Sequence, residues 1–470
     1  FIITFQEGFG DFNGIRITGF DVHPVSFAHS VKEGDVITSM TKVSTCNAEG
    51  AAPVVNDPVS YLGLHVGPTG EDLQVLYSYE VEWRQSDLEW ADRWDVYLIG
   101  SPDDDIHYFA IVNSLMIILF LTGAIATIMI RTLRKDIAGY NEMQTLEEAQ
   151  EETGWKLVHG DVFRPPSSAM FLSALVGTGF QIGVAFLLSM FCAILKLLNP
   201  MKKGQTLTAI LILYVLSGSV AGYVSSRLYK FSNANDWKLN TLYTAVGLPG
   251  LLVSMFCVLN VFLSFAGAAT AVSFLTILAL FAMWVCISMP LVFIGSYIGF
   301  AANKLEVPTK VNQISRTIPE LSWYSKPPFS VLLGGILPFG SVCIELFFIM
   351  SALWLHQIYY VMGFLLAVLL ILGATCAEVA VVMCYLQLCG EDHRWWWKSF
   401  WNCASAGFYL FLYSLWFLIS RLDLVGVLPV AVYLTYMSMI SICFGLFCGA
   451  VGVTMCFWFN KTIYGALKVD

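Results

Sequence analysis

The chain has 470 residues and a formal net charge of −9, with 57% hydrophobic and only 13% charged residues. Soluble domains hold roughly 45–50% apolar and 25% charged residues, so with a mean hydropathy of +0.69 a water-soluble globule is excluded. The basic residues are dispersed among loops and form no stripe, which argues against a nucleic-acid partner.

Residues 1–106 differ from the rest. They have polar turns, no long apolar run, and 18 Asp or Glu against 5 Lys or Arg. From Asp72 to Trp83 apolar groups fall at most odd positions, the period of two expected of a half-buried strand. Ile15, Ile17 and Val22 suggest another, so the segment is expected to form a β-sandwich-like, water-facing domain. The chain starts at Phe1 without a signal-like segment, so either a signal peptide has been removed or upstream sequence is missing. Cys46 is the one cysteine of this domain; a partner upstream or on another chain and a buried free thiol are both open.

From His107 onward, apolar runs long enough to cross a bilayer, at least about 18 residues, follow one another. Nine are expected: 107–130, 168–195, 205–229, 240–266, 271–302, 330–355, 359–388, 399–420 and 427–460. The break at 266–270 is short and uncharged. Residues 131–167 form the longest loop of the helical part and 461–470 a terminal tail.

Within the spans, glycines recur one turn apart at Gly179 and Gly183, Gly218 and Gly222, Gly295 and Gly299, and Gly445 and Gly449. Such spacing lets helix backbones approach, either inside the bundle or on a face left for a foreign helix. Pro249, Pro290 and Pro338 each remove a helix hydrogen bond, which makes breaks plausible there; such residues are either packing features whose freed carbonyls neighbours satisfy or marks of a cavity. Asn113 and Gln181 read as interhelical hydrogen-bonding groups.

Glu345 and Glu378 lie inside apolar runs. An ionised carboxylate in hydrocarbon costs at least about 2.5–3.5 kcal/mol, so each should be protonated, paired or facing water. On antiparallel helices their depths differ by on the order of 10 Å, which speaks against a direct pair.

Between the seventh and eighth spans the chain reads Cys389-Gly390-Glu391-Asp392-His393-Arg394-Trp395-Trp396-Trp397-Lys398. Three indoles can sit at headgroup depth, with an apolar edge and a polar N–H, while Arg394 and Lys398 meet anionic lipid heads at about 1 kcal/mol each. A docking surface for a cytosolic partner is the other reading. His356 and His393 have no second ligand at metal spacing, and Cys384 and Cys389 sit on one apolar helix end, so no metal site is expected. No G-x-S-x-G, phosphate loop or H-E-x-x-H occurs, and nothing makes a case for an enzyme or a cofactor.

Orientation follows from charge. With residues 1–106 outside the cytosol, nine crossings put 16 basic residues on cytosolic segments and 4 opposite, as the positive-inside rule requires. The sequon Asn460-Lys461-Thr462 then lies at the cytosolic edge, out of reach of glycosylation.

Several long motifs, taken together and in order, resemble the nonaspanins, a family of endomembrane proteins with nine transmembrane helices. They are Trp90-Ala91-Asp92-Arg93-Trp94-Asp95, Arg131-Thr132-Leu133-Arg134-Lys135-Asp136-Ile137, Gly154 through Pro166, Leu337-Pro338-Phe339-Gly340 with Ile344-Glu345-Leu346-Phe347-Phe348, and Glu391 through Trp397. Family members commonly carry an aromatic residue where this chain has His393, and a larger luminal domain. The resemblance implies a cleaved signal peptide, a Golgi and endosomal location with a luminal N-terminus and cytosolic C-terminus, and a role in sorting other membrane proteins. It further implies clients with glycine-rich membrane helices and a terminal Lys-x-Asp signal for the coatomer coat. Lys468 and Asp470 fit that signal, offering one cation and two carboxylates to charge-assisted hydrogen bonds. The alternative is a secondary transporter or channel using Glu345 and Glu378, although no repeat divides the spans into matching halves.

Overall fold

In the computed structural model the described residues are 2–9, 12–22, 81–87 and 90, scattered positions between 112 and 134, and 154–466 apart from 196, 198–202, 234, 269, 321–322, 324–325, 355–361, 423 and 425. The chain forms two compact units, Phe1–Asp105 and Ile106–Asp470.

In the first unit, β1 (Ile2–Phe9) and β2 (Phe12–Asp21) form an antiparallel pair. β3 (Glu82–Gln85) lies parallel on the other side of β1, so the order is β2-β1-β3. The strand suggested by Ile15, Ile17 and Val22 is present, but none of the three is buried, and Val22 is 52% exposed. Ile15 is 60% and Ile17 50% exposed, whereas Thr18 is 4% exposed and its hydroxyl donates to Thr4 at 3.2 Å. The expected sandwich is therefore described only as this three-stranded sheet. Residues 72–80 and Cys46 lie outside the described residues.

The second unit is helical. Its helices are α1 (Ala169–Ile194), α2 (Lys203–Leu216), α3 (Gly218–Phe231), α4 (Trp237–Phe265), α5 (Phe274–Met283), α6 (Met289–Ala301), α7 (Pro327–Trp354), α8 (Met362–Cys389), α9 (Trp395–Arg421) and α10 (Val427–Gly465). A π turn, Trp284–Ser288, joins α5 to α6. Among the described residues eight spans are long and apolar enough to cross a membrane, matching the second to ninth expected runs. The first run, 107–130, is described only at isolated helical positions. The uncharged break near 266–270 does separate two helices, because α4 ends at Phe265 and α5 starts at Phe274. The last helix is longer than expected. At about 1.5 Å per residue a 39-residue helix spans about 58 Å, well past a hydrocarbon core of about 30 Å. Residues 461–465, expected in the tail, are helical.

All four glycine pairs are used inside the bundle. α3 and α6 meet through Gly218 and Gly222 on one side and Gly295 and Gly299 on the other. A methyl on Gly222 would overlap the Val292 carbonyl, and one on Gly295 the Ser219 carbonyl. Gly179 and Gly183 face Leu446 and Phe447 of α10, while Gly445 and Gly449 face Ala404 and Phe400 of α9. In lipid, helices gain little from hiding apolar surface and associate by close contact, which explains why these positions carry no side chain.

The prolines do not break their helices. α4 runs through Pro249 and α7 through Pro338. Pro249 leaves the carbonyl of Ala245, four residues earlier, without its helical donor. The indole Nε1 of Trp284 donates to that carbonyl at 3.1 Å. Pro290 lies just after the π turn, and the span continues through it from Phe274 to Ala301.

α5 is the exception to close packing. None of its side chains is buried, and Phe274 and Leu275 are exposed, as is Phe265 at the end of α4. Asn260 closes the connection between the two helices, accepting from the Val272 N–H at 2.7 Å and donating to its carbonyl at 3.1 Å. Beside that tie lies a groove lined by Val261, Phe265, Phe274 and Ile277.

Candidate functional site

The end of the bundle where α8 finishes and α9 begins joins segments far apart in sequence through side-chain contacts. Residues 154–168 enter it through a short 3-10 turn, Trp155–Val158. They then run without repetitive structure to Pro165 and Pro166, which offer no N–H. Backbone carbonyls of such a segment need donors from elsewhere. Three consecutive indoles supply them. Trp395 Nε1 donates to Val162 O at 2.8 Å, Trp396 Nε1 to Arg164 O at 3.0 Å and Trp397 Nε1 to Ser167 O at 2.7 Å.

The indoles expected to meet headgroups are thus bonded to the chain itself. Trp395 is 0% and Trp396 2% exposed, and their rings stack with centroids 4.0 Å apart. An indole anchored at headgroup depth keeps its N–H for water or lipid, whereas these N–H groups are spent on the chain itself. The tryptophans also belong to the first turn of α9 rather than to the turn before it. Phe231 and Phe457 pack against Trp396, so the aromatic cluster reaches α3 and α10.

A second set of contacts is ionic. Asp161 is 3% exposed. It accepts from Arg164 on one oxygen, the closer contact being 2.5 Å, and from the Arg316 N–H on the other at 3.1 Å. Burial alone would raise its pKa, but these donors together hold its carboxyl below the usual range. Arg164 also donates to Asn312 O at 2.8 Å, and the Asn312 N–H to Gly160 O at 2.8 Å. Arg316 reaches on to Glu391 at 3.1 Å, which sits in the left-handed region at φ 58°. Three stretches of sequence, near 160, 314 and 391, are thereby tied together.

Asp392 is fully buried and sits before the positive end of α9, where an anion is favoured. It accepts from the Arg394 N–H at 3.0 Å and from Lys398 Nζ at 2.6 Å. Burial opposes its ionisation, yet Lys398 and Arg394 keep its pKa low. Arg394 and Lys398, expected to meet lipid heads, thus hold Asp392, although Arg394 keeps 68% of its side chain exposed. His393, between them, is 7% exposed, and its Nδ1 has no partner among the described residues.

The third contact fixes the end of α10. Tyr464 is fully buried, donates to Trp155 O at 2.7 Å, and packs edge-on against Trp155 and Phe163. Lys468 and Asp470 lie outside the described residues.

The two intramembrane acids are not brought together. The Thr122 hydroxyl donates to Glu378, which ties it to the run expected to be the first span. Glu345 is 2% exposed, and neither carboxyl oxygen has a partner among the described residues. Val342, one turn earlier, and Leu346, the next residue, pack into the main apolar core. Gln181 behaves as expected, donating to Tyr214 O at 2.9 Å. Asn113 and His356 lie outside the described residues.

Sequence reading missed a buried polar chain. Ser173 donates to Asn240 at 2.7 Å, Asn240 to Ser225 at 2.9 Å, and Ser225 shares a hydrogen bond with Thr244 at 2.8 Å. It links α1, α3 and α4. The only signal was small polar residues in apolar runs, and these also occur singly for local helix bonding.

Similar proteins are found in plants and mammals. The family model described as Endomembrane protein 70 matches residues 1–427. Transmembrane 9 superfamily member 10 of Arabidopsis thaliana is 46% identical over 455 residues, which is 97% of this chain and 70% of that protein. Transmembrane 9 superfamily member 2 of Homo sapiens is 44% identical over 400 residues, 85% of this chain and 60% of the relative. Member 4 of Mus musculus is 40% identical over 456 residues, 97% and 68% respectively. No solved structure matches.

Proposed function

Since this chain belongs to the transmembrane 9 superfamily of endomembrane proteins, we propose that it is a non-enzymatic factor that sorts or chaperones other membrane proteins. On this reading it works in the Golgi and endosomes with its N-terminal domain luminal. Its clients carry glycine-rich membrane helices, and Lys468 with Asp470 recruits coatomer from the cytosolic side.

The observation that supports the reading is the uncovered flank of α4 and α5. Among the described spans, Phe274–Ala301 is one of the most apolar and the least covered, with 11% of an 18-residue window buried. The chain's own glycine pairs are already used. A glycine-rich client helix would bring the flat face, and Phe265, Phe274 and Leu278 would be the large side chains that fill it.

Surface delivery of a glycine-rich client tests this directly. Leu275→Ser with Leu278→Ser leaves the buried contacts alone and should lower delivery while the protein still reaches its compartment. Unchanged delivery removes this flank from the account. In parallel, Lys468→Ala with Asp470→Ala should release the protein from the Golgi, and an unmoved double mutant would remove the tail signal.

One observation favours a second reading, a proton-coupled transporter: the unpartnered Glu345. A buried acid without donors is tolerated when neutral, and such a group can carry a proton. Glu345→Gln keeps the shape and removes the proton site. Flux in reconstituted vesicles that is present in the unmodified protein and lost in the variant would favour transport, and lost client delivery without flux would favour sorting.

A further inference from the structure

We propose that His393 makes the junction between residues 154–168 and the 389–398 turn sensitive to protons, so that protonation of its ring loosens the hold of the tryptophans on the segment. The inference is independent of what the protein sorts.

The geometry carries it. His393 is 93% buried within the electrostatic reach of charged groups from both the segment and the turn, and its Nδ1 has no partner among the described residues. The charged groups around it come from both sides. Asp161 and Arg164 belong to the segment, and Asp392 and Arg394 to the turn. Behind them stand Arg316, whose N–H binds Asp161, and Lys398, which binds Asp392.

Both carboxylates are already committed. Asp161 spends one oxygen on Arg164 and the other on the Arg316 amide, and Asp392 divides its own between the Arg394 amide and Lys398. An imidazolium would enter a site whose acids already have donors and whose burial penalises charge. The neutral ring fits, and the charged one must take an acid from an arginine or lysine or move out to water.

The direction agrees. Burial lowers the His393 pKa, Asp161 and Asp392 pull it up, Arg164 and Arg394 push it down, and the net shift is downward from 6.5. A histidine lowered in the folded state stabilises it fully above 6.5. As pH falls below 6.5, the released state takes up the proton first and the contribution is lost, until the folded ring also titrates. Between pH 7.5 and 5.5 the closed junction can therefore lose up to about tenfold in its equilibrium.

The test is hydrogen exchange of residues 155–164 in the full chain in lipid nanodiscs, with protection corrected for the intrinsic rate at each pH. The unmodified chain should lose up to about tenfold in protection between pH 7.5 and 5.5, with the loss starting near 6.5. His393→Phe should show a flat profile, and His393→Asn serves where the phenyl ring is not accommodated. Either a flat profile in the unmodified chain or the same loss in a folded variant without the imidazole would overturn the proposal.

Discussion

Trp284 and Ala245 are 39 residues apart, and the indole N–H of one binds the backbone carbonyl of the other at 3.1 Å. That carbonyl is the one Pro249 leaves without a helical donor. An aromatic side chain from the next span therefore repairs a defect that proline creates.

Trp284→Phe should accordingly lower stability by about 1–2 kcal/mol, the cost of leaving a buried acceptor unmade. In a Pro249→Ala background the helix can satisfy Ala245 itself, so the same change should cost less. Thermal unfolding of the four proteins of this double-mutant cycle checks the claim. Equal costs in both backgrounds would mean that the indole acts by packing alone.

Removing single indole donors at the start of α9 should open residues 154–168 locally. Trp396→Phe keeps much of the ring packing and deletes the bond to Arg164 O, with an expected cost of about 1–3 kcal/mol. Limited proteolysis should show faster cleavage near Gly160 while the membrane bundle stays intact. Trp401→Phe, at an exposed position of the same helix, serves as control.

Acid should loosen the same region a second time. Asp161 and Asp392 both have pKa values below the usual 3.8 in the folded state. For carboxylates lowered by folding, the stabilisation is present above about 3.8 and disappears as pH falls through the lower folded values. Unfolding followed from pH 5 to 2 should therefore show a loss beginning below about 4, distinct from any change near 6.5. Asp161→Asn should flatten part of that acid limb.

Glycines at the α3–α6 contact have no room for a methyl. Gly222→Ala and Gly295→Ala should each separate the helices and cost about 1–3 kcal/mol or more. Gly247→Ala, where a methyl would meet nothing within 4 Å, should leave melting unchanged. Parallel melting curves of the three variants in one detergent distinguish close approach from helix propensity.

Much of this was legible in the sequence. The length of the apolar runs settled eight of the spans, because hydrocarbon thickness fixes how many residues must be apolar. The spacing of the glycine pairs announced close helix contact, and the family followed from motifs long enough to be specific. The tertiary structure decided what each feature was for. It gave the three tryptophans to the carbonyls of residues 162–167, more than 200 positions away, gave Glu378 a hydroxyl from another helix, and left Glu345 with none among the described residues. Composition and periodicity report how apolar a position is and how often it recurs. A hydrogen bond or an ion pair depends on which distant atom arrives within 3 Å, and only the folded chain sets that distance.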